Sequence, residues 1–248
     1  LIHYRCYMLK TTVSTAVLTA AALMLSACGD SRPTVVAANG NADFKETPIT
    51  PPKDGDWSTI VRKTAAGGFR MGNPDAKVAL VEFGSLTCPH CAEFEEQGVA
   101  PLIENYVKKG LVSFEFRHYV RDPFDLTAAM VARCGGEQSV FGLTRGFMAD
   151  QKNWIGKLQA VDPAKMQSLE QTPVPQRYQV MADMAGFKAF AALRGLPKAK
   201  SEQCLNDPNA ASELVQMQND ANSQFTITGT PSFVINGKLL DKTFGWAT

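Results

Sequence analysis

Two cysteines three residues apart, Cys88 and Cys91, enclose Pro89 and His90. Thiols at that spacing can close a disulfide, exchange one, or ligate a metal. Composition gives well under one such pair by chance, so the context has to carry the reading. The motif follows the apolar run Val78-Ala79-Leu80-Val81-Glu82-Phe83 and opens a helical stretch from Cys88 to about Lys109. Cys88 is thereby placed at a helix N-terminus, where unpaired N–H groups and the helix dipole favour an anion. Such an address lowers a cysteine pKa from about 8.5 to roughly 3.5–7.5, each unit being about 1.4 kcal/mol of preference for the thiolate. A stabilised thiolate favours the reduced state and makes the disulfide more oxidising. Pro89 loses nothing by lacking an N–H in the first turn. His90, when protonated, adds a positive charge beside Cys88. Cys91 faces inward and can close the disulfide or resolve a mixed one. Zinc fits poorly: it wants four ligands, there is no second C-x-x-C, and only His90 and His118 follow the leader. A c-type haem needs a histidine at residue 92, which is Ala92. An inert structural disulfide stays open as the alternative.

The elements that position this pair can be read from pattern. The run 78–83 has the near-continuous apolar character of a central parallel strand. Phe94, Leu102 and Tyr106 offer the following helix a buried face, and Gly110 stops it. Leu111 to Tyr119 alternates as a second strand, giving strand–helix–strand at βαβ spacing. From Pro123 to about Cys204 the texture turns helical: Val140, Phe141, Phe147 and Met148 share one face, while Met181, Met184, Phe187 and Leu193 fit another. Gly135-Gly136 and Pro173 to Pro175 punctuate the block. Asp207-Pro208 is an N-cap with proline at N1, opening a helix striped with Leu214, Met217, Ala221 and Phe225. Ser232 to Ile235, Asn236-Gly237 and Lys238 to Leu240 form a hairpin signal. The reading is an α/β domain carrying an all-helical insertion.

Cys88-Pro89-His90-Cys91, with Gly229-Thr230-Pro231-Ser232-Phe233-Val234-Ile235-Asn236-Gly237 downstream, resembles a DsbA-like protein of the thioredoxin superfamily over about residues 67–245. The resemblance implies a thioredoxin fold with an inserted helical domain: residues 67–120 and 205–248 as the thioredoxin-like part, 121–204 as the insertion. It implies a cis Pro231 beside the active-site disulfide, with Thr230 offering backbone groups to an extended substrate and Pro89 lining the same surface. Glu82 matches the family's buried acid, a proton relay to Cys91; a strand-end salt bridge is the alternative. His118 is read as structural. Cys134 and Cys204 are read as a second, structural disulfide, as in some alphaproteobacterial members, with free buried thiols as the alternative. No metal or cofactor is implied. Members usually follow the last hairpin with a helix; here the sequence stops at Phe244-Gly245-Trp246-Ala247-Thr248, so that helix is expected to be missing and one sheet face partly uncovered.

The N-terminal part reads as an address. Lys10 precedes an apolar core, Ala16 to Leu25, too short for the roughly 20 residues of a membrane span but suited to a signal peptide. Leu25-Ser26-Ala27-Cys28 resembles the bacterial lipobox, implying cleavage before Cys28 and its lipidation; a plain secretory signal is the alternative. Met8 is the natural start, which would leave Cys6 without a role. Residues 28–66, rich in proline and polar residues, read as a flexible tether, about 30 residues of which span roughly 30 Å r.m.s.. The formal net charge is +1, and losing residues 1–27 removes Arg5 and Lys10 and no acid, which makes it −1. Near neutrality removes the electrostatic case for a nucleic-acid partner. Charged residues at 20% and apolar residues at 45% argue against wholesale disorder.

The expectation is therefore a periplasmic, membrane-anchored thiol:disulfide oxidoreductase. It would donate the Cys88–Cys91 disulfide to reduced secreted or periplasmic proteins and be reoxidised by a DsbB-like membrane partner. Isomerase or reductase action on the same fold, and a non-catalytic copper-binding thiol lipoprotein, are the rival readings.

Overall fold

The computed structural model describes residues 50–174 and 176–246. The expected signal peptide, Cys6, the expected lipidation site at Cys28, most of the expected tether and Pro175 lie outside the described residues. The described strands are β1 (Val61–Lys63), β2 (Phe69–Met71), β3 (Val78–Gly84), β4 (Val112–His118), β5 (Ser232–Ile235) and β6 (Lys238–Leu239). They form one sheet of order β1-β2-β4-β3-β5-β6. Only β3 and β4 run parallel, joined by the helix that carries Cys91; the other pairings are antiparallel. Glu82 stands opposite Phe116 on one side and Phe233 on the other, in the middle of the sheet.

The first helix is built around a proline. It starts as α1 (Pro89–Phe94), passes through a π-helical turn (Glu95–Val99) into α2 (Ala100–Leu102), and ends in a second π-helical turn (Ile103–Val107). Pro101 cannot donate and its ring crowds the preceding turn, so the ladder widens on both sides of it. That phase shift changes which side chains face inward. Leu102, Ile103 and Val107 are buried, whereas Tyr106, expected on the buried face, is exposed. Gly110 ends the helix at φ +70, and a Cβ there would meet the Trp57 ring at 2.7 Å.

The helical insertion contains α3 (Pro123–Arg133), α4 (Val140–Ala149), α5 (Gln151–Gln159), α6 (Pro163–Gln171), α7 (Gln176–Ala185), α8 (Phe187–Ala192) and α9 (Lys198–Leu205). Its centre is aromatic: Phe147 stacks on Phe190 at 4.6 Å and meets Phe187 edge-on at 5.2 Å, while Trp154 meets Phe187 at 5.1 Å and donates to the Phe147 carbonyl. Leu193, grouped with this face by periodicity, is 86% exposed, because Gly186 at φ +77 separates α7 from α8 and breaks the phase. Cys134 and Cys204 are joined by a disulfide across 70 residues, tying the end of α3 to α9.

α10 (Pro208–Gln224) is capped by Asp207, whose side chain accepts from the Asn209 N–H. Leu214 and Met217 enter the main core, while Ala221 covers Phe83 and Val234 on the opposite face of the sheet. The β5–β6 turn uses Asn236 at φ 48 and Gly237 at φ 79, the left-handed pair a two-residue hairpin requires.

Two features differ from the pattern reading. The tether was expected to run to residue 66, yet Trp57–Thr59 forms a 3₁₀ turn capped by Asp56, and β1 follows at Val61–Lys63. β2, with Phe69 and Met71 buried around Arg70, also joins the sheet beyond β4. Three-residue strands are too short to show a period. Among the described residues no helix follows β6, and none is long and apolar enough to cross a membrane.

Replacing Cys134 and Cys204 with serine together is expected to lower stability by about 2–4 kcal/mol, read from the urea midpoint of the oxidised proteins.

Candidate active site

β3 ends at Gly84 and α1 begins at Pro89, so Ser85 to Cys88 must turn the chain from sheet to helix. Cys88 is the N-cap residue, extended at φ −87 and ψ 121, with Pro89 at the first helical position. Its thiol donates to the Thr230 carbonyl at 3.0 Å, across 142 residues. The Thr230–Pro231 peptide bond is cis. Cys88 is 3% and Cys91 0% exposed, and both are free thiols. The Ser85 N–H points at the Cys91 sulfur at 3.4 Å.

The two sulfurs are electrostatically opposite. Cys88 is pulled down to about 5, first by a hydrogen bond from Cys91; burial opposes this, and the Thr230 side chain and the N–H groups of Cys91 and His90 add to it. Cys88 closes no full cap hydrogen bond as a thiol, so the helix N–H groups act on the charge rather than as a fixed cap. Cys91 is pushed well above the ordinary thiol range by burial, by its bond to Cys88 and by the negative charges of Glu82 and Cys88. One sulfur is held ready as a thiolate while the other keeps its proton.

Glu82 lies under the pair, 2% exposed, and its Oε1 has no hydrogen-bond partner among the described residues. Burial raises its pKa well above the carboxylate range, helped by the Glu95 and Cys88 charges. Among the described residues Glu82 forms no strand-end salt bridge, and Arg145 pairs with Glu95 at 2.5 Å. Glu95 itself is raised to about 7 by burial, against the pull of Arg145. His118 is buried on β4, edge-on to Phe116 at 4.9 Å, with neither ring nitrogen bonded among the described residues. Burial, and then the Arg133 charge, hold it neutral. His90 is exposed and turned to Glu93 at 3.5 Å. Its backbone N–H is among the groups that lower Cys88.

Cys88, Pro89, His90, Tyr119, Arg121 and the segment Thr228–Thr230 line an open groove of about 570 Å³. Thr230 and Pro89 thus line the groove beside the Cys88 sulfur, while Cys134 and Cys204 lie elsewhere, in the insertion. Among the described residues no three His, Cys, Asp or Glu side chains cluster as metal ligands.

Three residues of this neighbourhood went unread in the sequence. Asp122 caps α3 by accepting from Phe124 and Asp125 N–H and also accepts from the Thr87 hydroxyl at 2.8 Å. Its signal was available, since Asp122-Pro123 repeats the cap pattern of Asp207-Pro208. Asp125 and Gln151 also reach the turn, and neither carries a local signal.

A family model described as thioredoxin matches residues 64–248. A solved protein-disulfide isomerase from Novosphingobium aromaticivorans is 37% identical, covering 72% of this chain and 91% of that one, with a TM-score of 0.68. Alpha-DsbA1 of Wolbachia pipientis is 26% identical at a TM-score of 0.54, covering 71% and 77%. A Rickettsia felis relative named "Putative protein-disulfide oxidoreductase" is 25% identical over 210 residues, 82% of this chain. The chain spans 56% of the length of the corresponding Rickettsia bellii protein and 67% of the Rickettsia felis one. The chain belongs to the thioredoxin family and is similar to its DsbA-type members.

Two outcomes are expected. Below pH 7 a thiol-alkylating reagent labels Cys88 with a midpoint near 5 and leaves Cys91 unlabelled, read by peptide mass. Replacing Glu82 with leucine raises stability, by on the order of 1–3 kcal/mol for an unsatisfied buried group. The sign follows from linkage: a raised folded pKa gives stability that is complete below the unfolded value and lost as pH rises through the folded one. The gain over the parent therefore grows with pH above about 4.5, read from urea midpoints at successive pH values.

Proposed function

We propose that the protein is a periplasmic disulfide oxidase that transfers the Cys88–Cys91 disulfide to reduced secreted or periplasmic proteins. The observation that carries this is the asymmetry of the two thiols, with Cys88 drawn toward the thiolate at the start of α1 and Cys91 buried and protonated. In the oxidised protein a substrate thiolate attacks Cys88 Sγ. The Cys88–Cys91 bond breaks, a mixed disulfide forms, and Cys91 leaves as a thiolate that takes up a proton. Glu82, held protonated beneath it, is placed to supply that proton. A second substrate thiolate then attacks the substrate sulfur of the mixed disulfide and releases Cys88 as the thiolate. The substrate loses two electrons and gains a disulfide; the protein keeps both electrons as a dithiol. A low-pKa sulfur is the better leaving group in that second step, which drives transfer outward.

The groove at Cys88 and the Thr230 backbone would seat the substrate as an extended segment. The Thr230 carbonyl, which accepts from the Cys88 thiol, becomes free to bind substrate backbone once the disulfide forms. The reading includes a signal peptide over residues 1–27, lipidation of Cys28, and a tether that holds the domain off the membrane. It also includes reoxidation by a DsbB-like membrane partner. Isomerisation is the second reading, favoured by the name of the Novosphingobium relative.

The equilibrium of the Cys88–Cys91 pair with glutathione separates the two. A reduction potential near about −120 mV is expected; one near about −180 mV indicates an isomerase and near about −270 mV a reductase. Replacing Cys91 with serine should let the Cys88 thiolate attack a disulfide-bonded substrate protein, releasing one substrate thiolate and accumulating the mixed disulfide on Cys88, seen by non-reducing electrophoresis. Failure to trap one would overturn the nucleophile assignment.

A further inference from the structure

The Ser85–Cys88 turn closes on itself through the Cys88 N–H to the Ser85 carbonyl and the Thr87 N–H to the Ser85 hydroxyl, each at 3.2 Å, and it is also braced from outside. It is held by two buried side chains of the helical insertion. Gln151, 5% exposed at the start of α5, donates both Nε2 protons, one to the Leu86 carbonyl at 2.8 Å and one to the Cys88 carbonyl at 2.9 Å. The Asp125 carboxylate on α3 accepts from the Leu86 N–H at 2.9 Å, the Ser85 hydroxyl at 2.6 Å and the Arg121 N–H at 2.9 Å. The Leu86 residue is therefore fixed at both ends, its N–H by α3 and its carbonyl by α5. Ser85, whose hydroxyl is bound by Asp125, is the residue whose N–H faces the Cys91 sulfur.

These groups serve no step of the disulfide transfer. They are also expensive to bury, since each would be well solvated outside. Gln151 shares the Cys88 carbonyl with the Ala92 N–H, which donates to it at 3.2 Å, and together they hold the peptide plane at Cys88. Free rotation there would swing the sulfur away from the helix start and from Thr230. We propose that Gln151 and Asp125 are positioning residues through which the helical insertion sets the reactivity of Cys88. The insertion is then part of the redox device and not only a cover over it.

The inference rests on the reading of Cys88 as the reactive thiolate, and one experiment separates the two. The reduced full-length protein is titrated by thiolate absorbance at 240 nm, and its exchange equilibrium with glutathione is measured. Gln151→Met keeps the volume and removes both donors. It is expected to lower the thiolate-to-thiol ratio of Cys88 about tenfold at a given pH. The exchange equilibrium should move about tenfold toward the disulfide form, about 30 mV more reducing. Asp125→Asn, which keeps one oxygen for the Leu86 N–H but sets an amide N–H against the Arg121 N–H, should shift both in the same direction. It also serves as the measurement if Gln151→Met does not fold. Phe190→Leu disturbs the same insertion at the Phe147 ring without touching the turn, and should lower stability with the Cys88 titration unmoved. The positioning role is overturned if the folded Gln151 or Asp125 variant titrates like the parent, or if Phe190→Leu shifts Cys88 as far. A parent Cys88 titrating near 8.5 would instead overturn the reading of the thiol itself.

Discussion

A negative sulfur at the first turn of a helix is the condition around which the molecule is arranged. It needs a helix that begins abruptly, a strand that delivers the chain to that start, and a second thiol close enough to donate but too deeply buried to ionise. β3 provides the delivery, since it is central in the sheet and paired on both sides. Pro89 makes the start abrupt by taking the first helical position without wanting an acceptor. Cys91 then falls one turn later on the inward face, fully enclosed. The opposite shifts of the two thiols come from a displacement of a single helical turn across the boundary between groove and core.

The acids below the site follow from the same geometry. Glu82 is on β3, in the middle of the sheet, where its side chain is buried. Gly84, two residues on, leaves room there: a Cβ would meet the Phe116 ring at 2.5 Å and Glu82 Oε1 at 2.9 Å. Glu95 lies close enough to raise the Glu82 pKa, and Arg145 neutralises Glu95 from α4. The protein thus keeps one carboxyl without a cation and gives the neighbouring one a cation. A buried acid without a cation keeps its proton to higher pH and so has one to give, whereas a cation beside a carboxyl favours the ionised form.

The parts of this arrangement legible in the sequence were those with local causes. The Cys-Pro-His-Cys spacing, the apolar run before it, the Asp207-Pro208 cap and the Asn236-Gly237 turn each state their conformation within a few residues, and each stands in the structure where the pattern put it. What stayed hidden depends on distance or on phase. β1 and β2 are three residues each and gain their identity only from β4. Tyr106 and Leu193 were placed on buried faces by a 3.6-residue period that Pro101 and Gly186 interrupt. Gln151 sits 63 residues from the carbonyl of Cys88 that it holds, and nothing in its own neighbourhood announces that bond.

The contact between Cys88 and Thr230 has a consequence in time. The two residues are 142 positions apart, and the chain emerges from the N-terminus onward. At a synthesis rate of about 5–20 residues per second, the cysteine pair exists for roughly 7–28 seconds before the carbonyl that meets it has been made. During that interval the strand that carries Thr230's neighbours is absent, β3 has an open edge, and both thiols belong to an unfinished chain. The protein therefore passes through a period in which its own cysteines are among the thiols awaiting the correct partner, and the last hairpin is the piece that ends it.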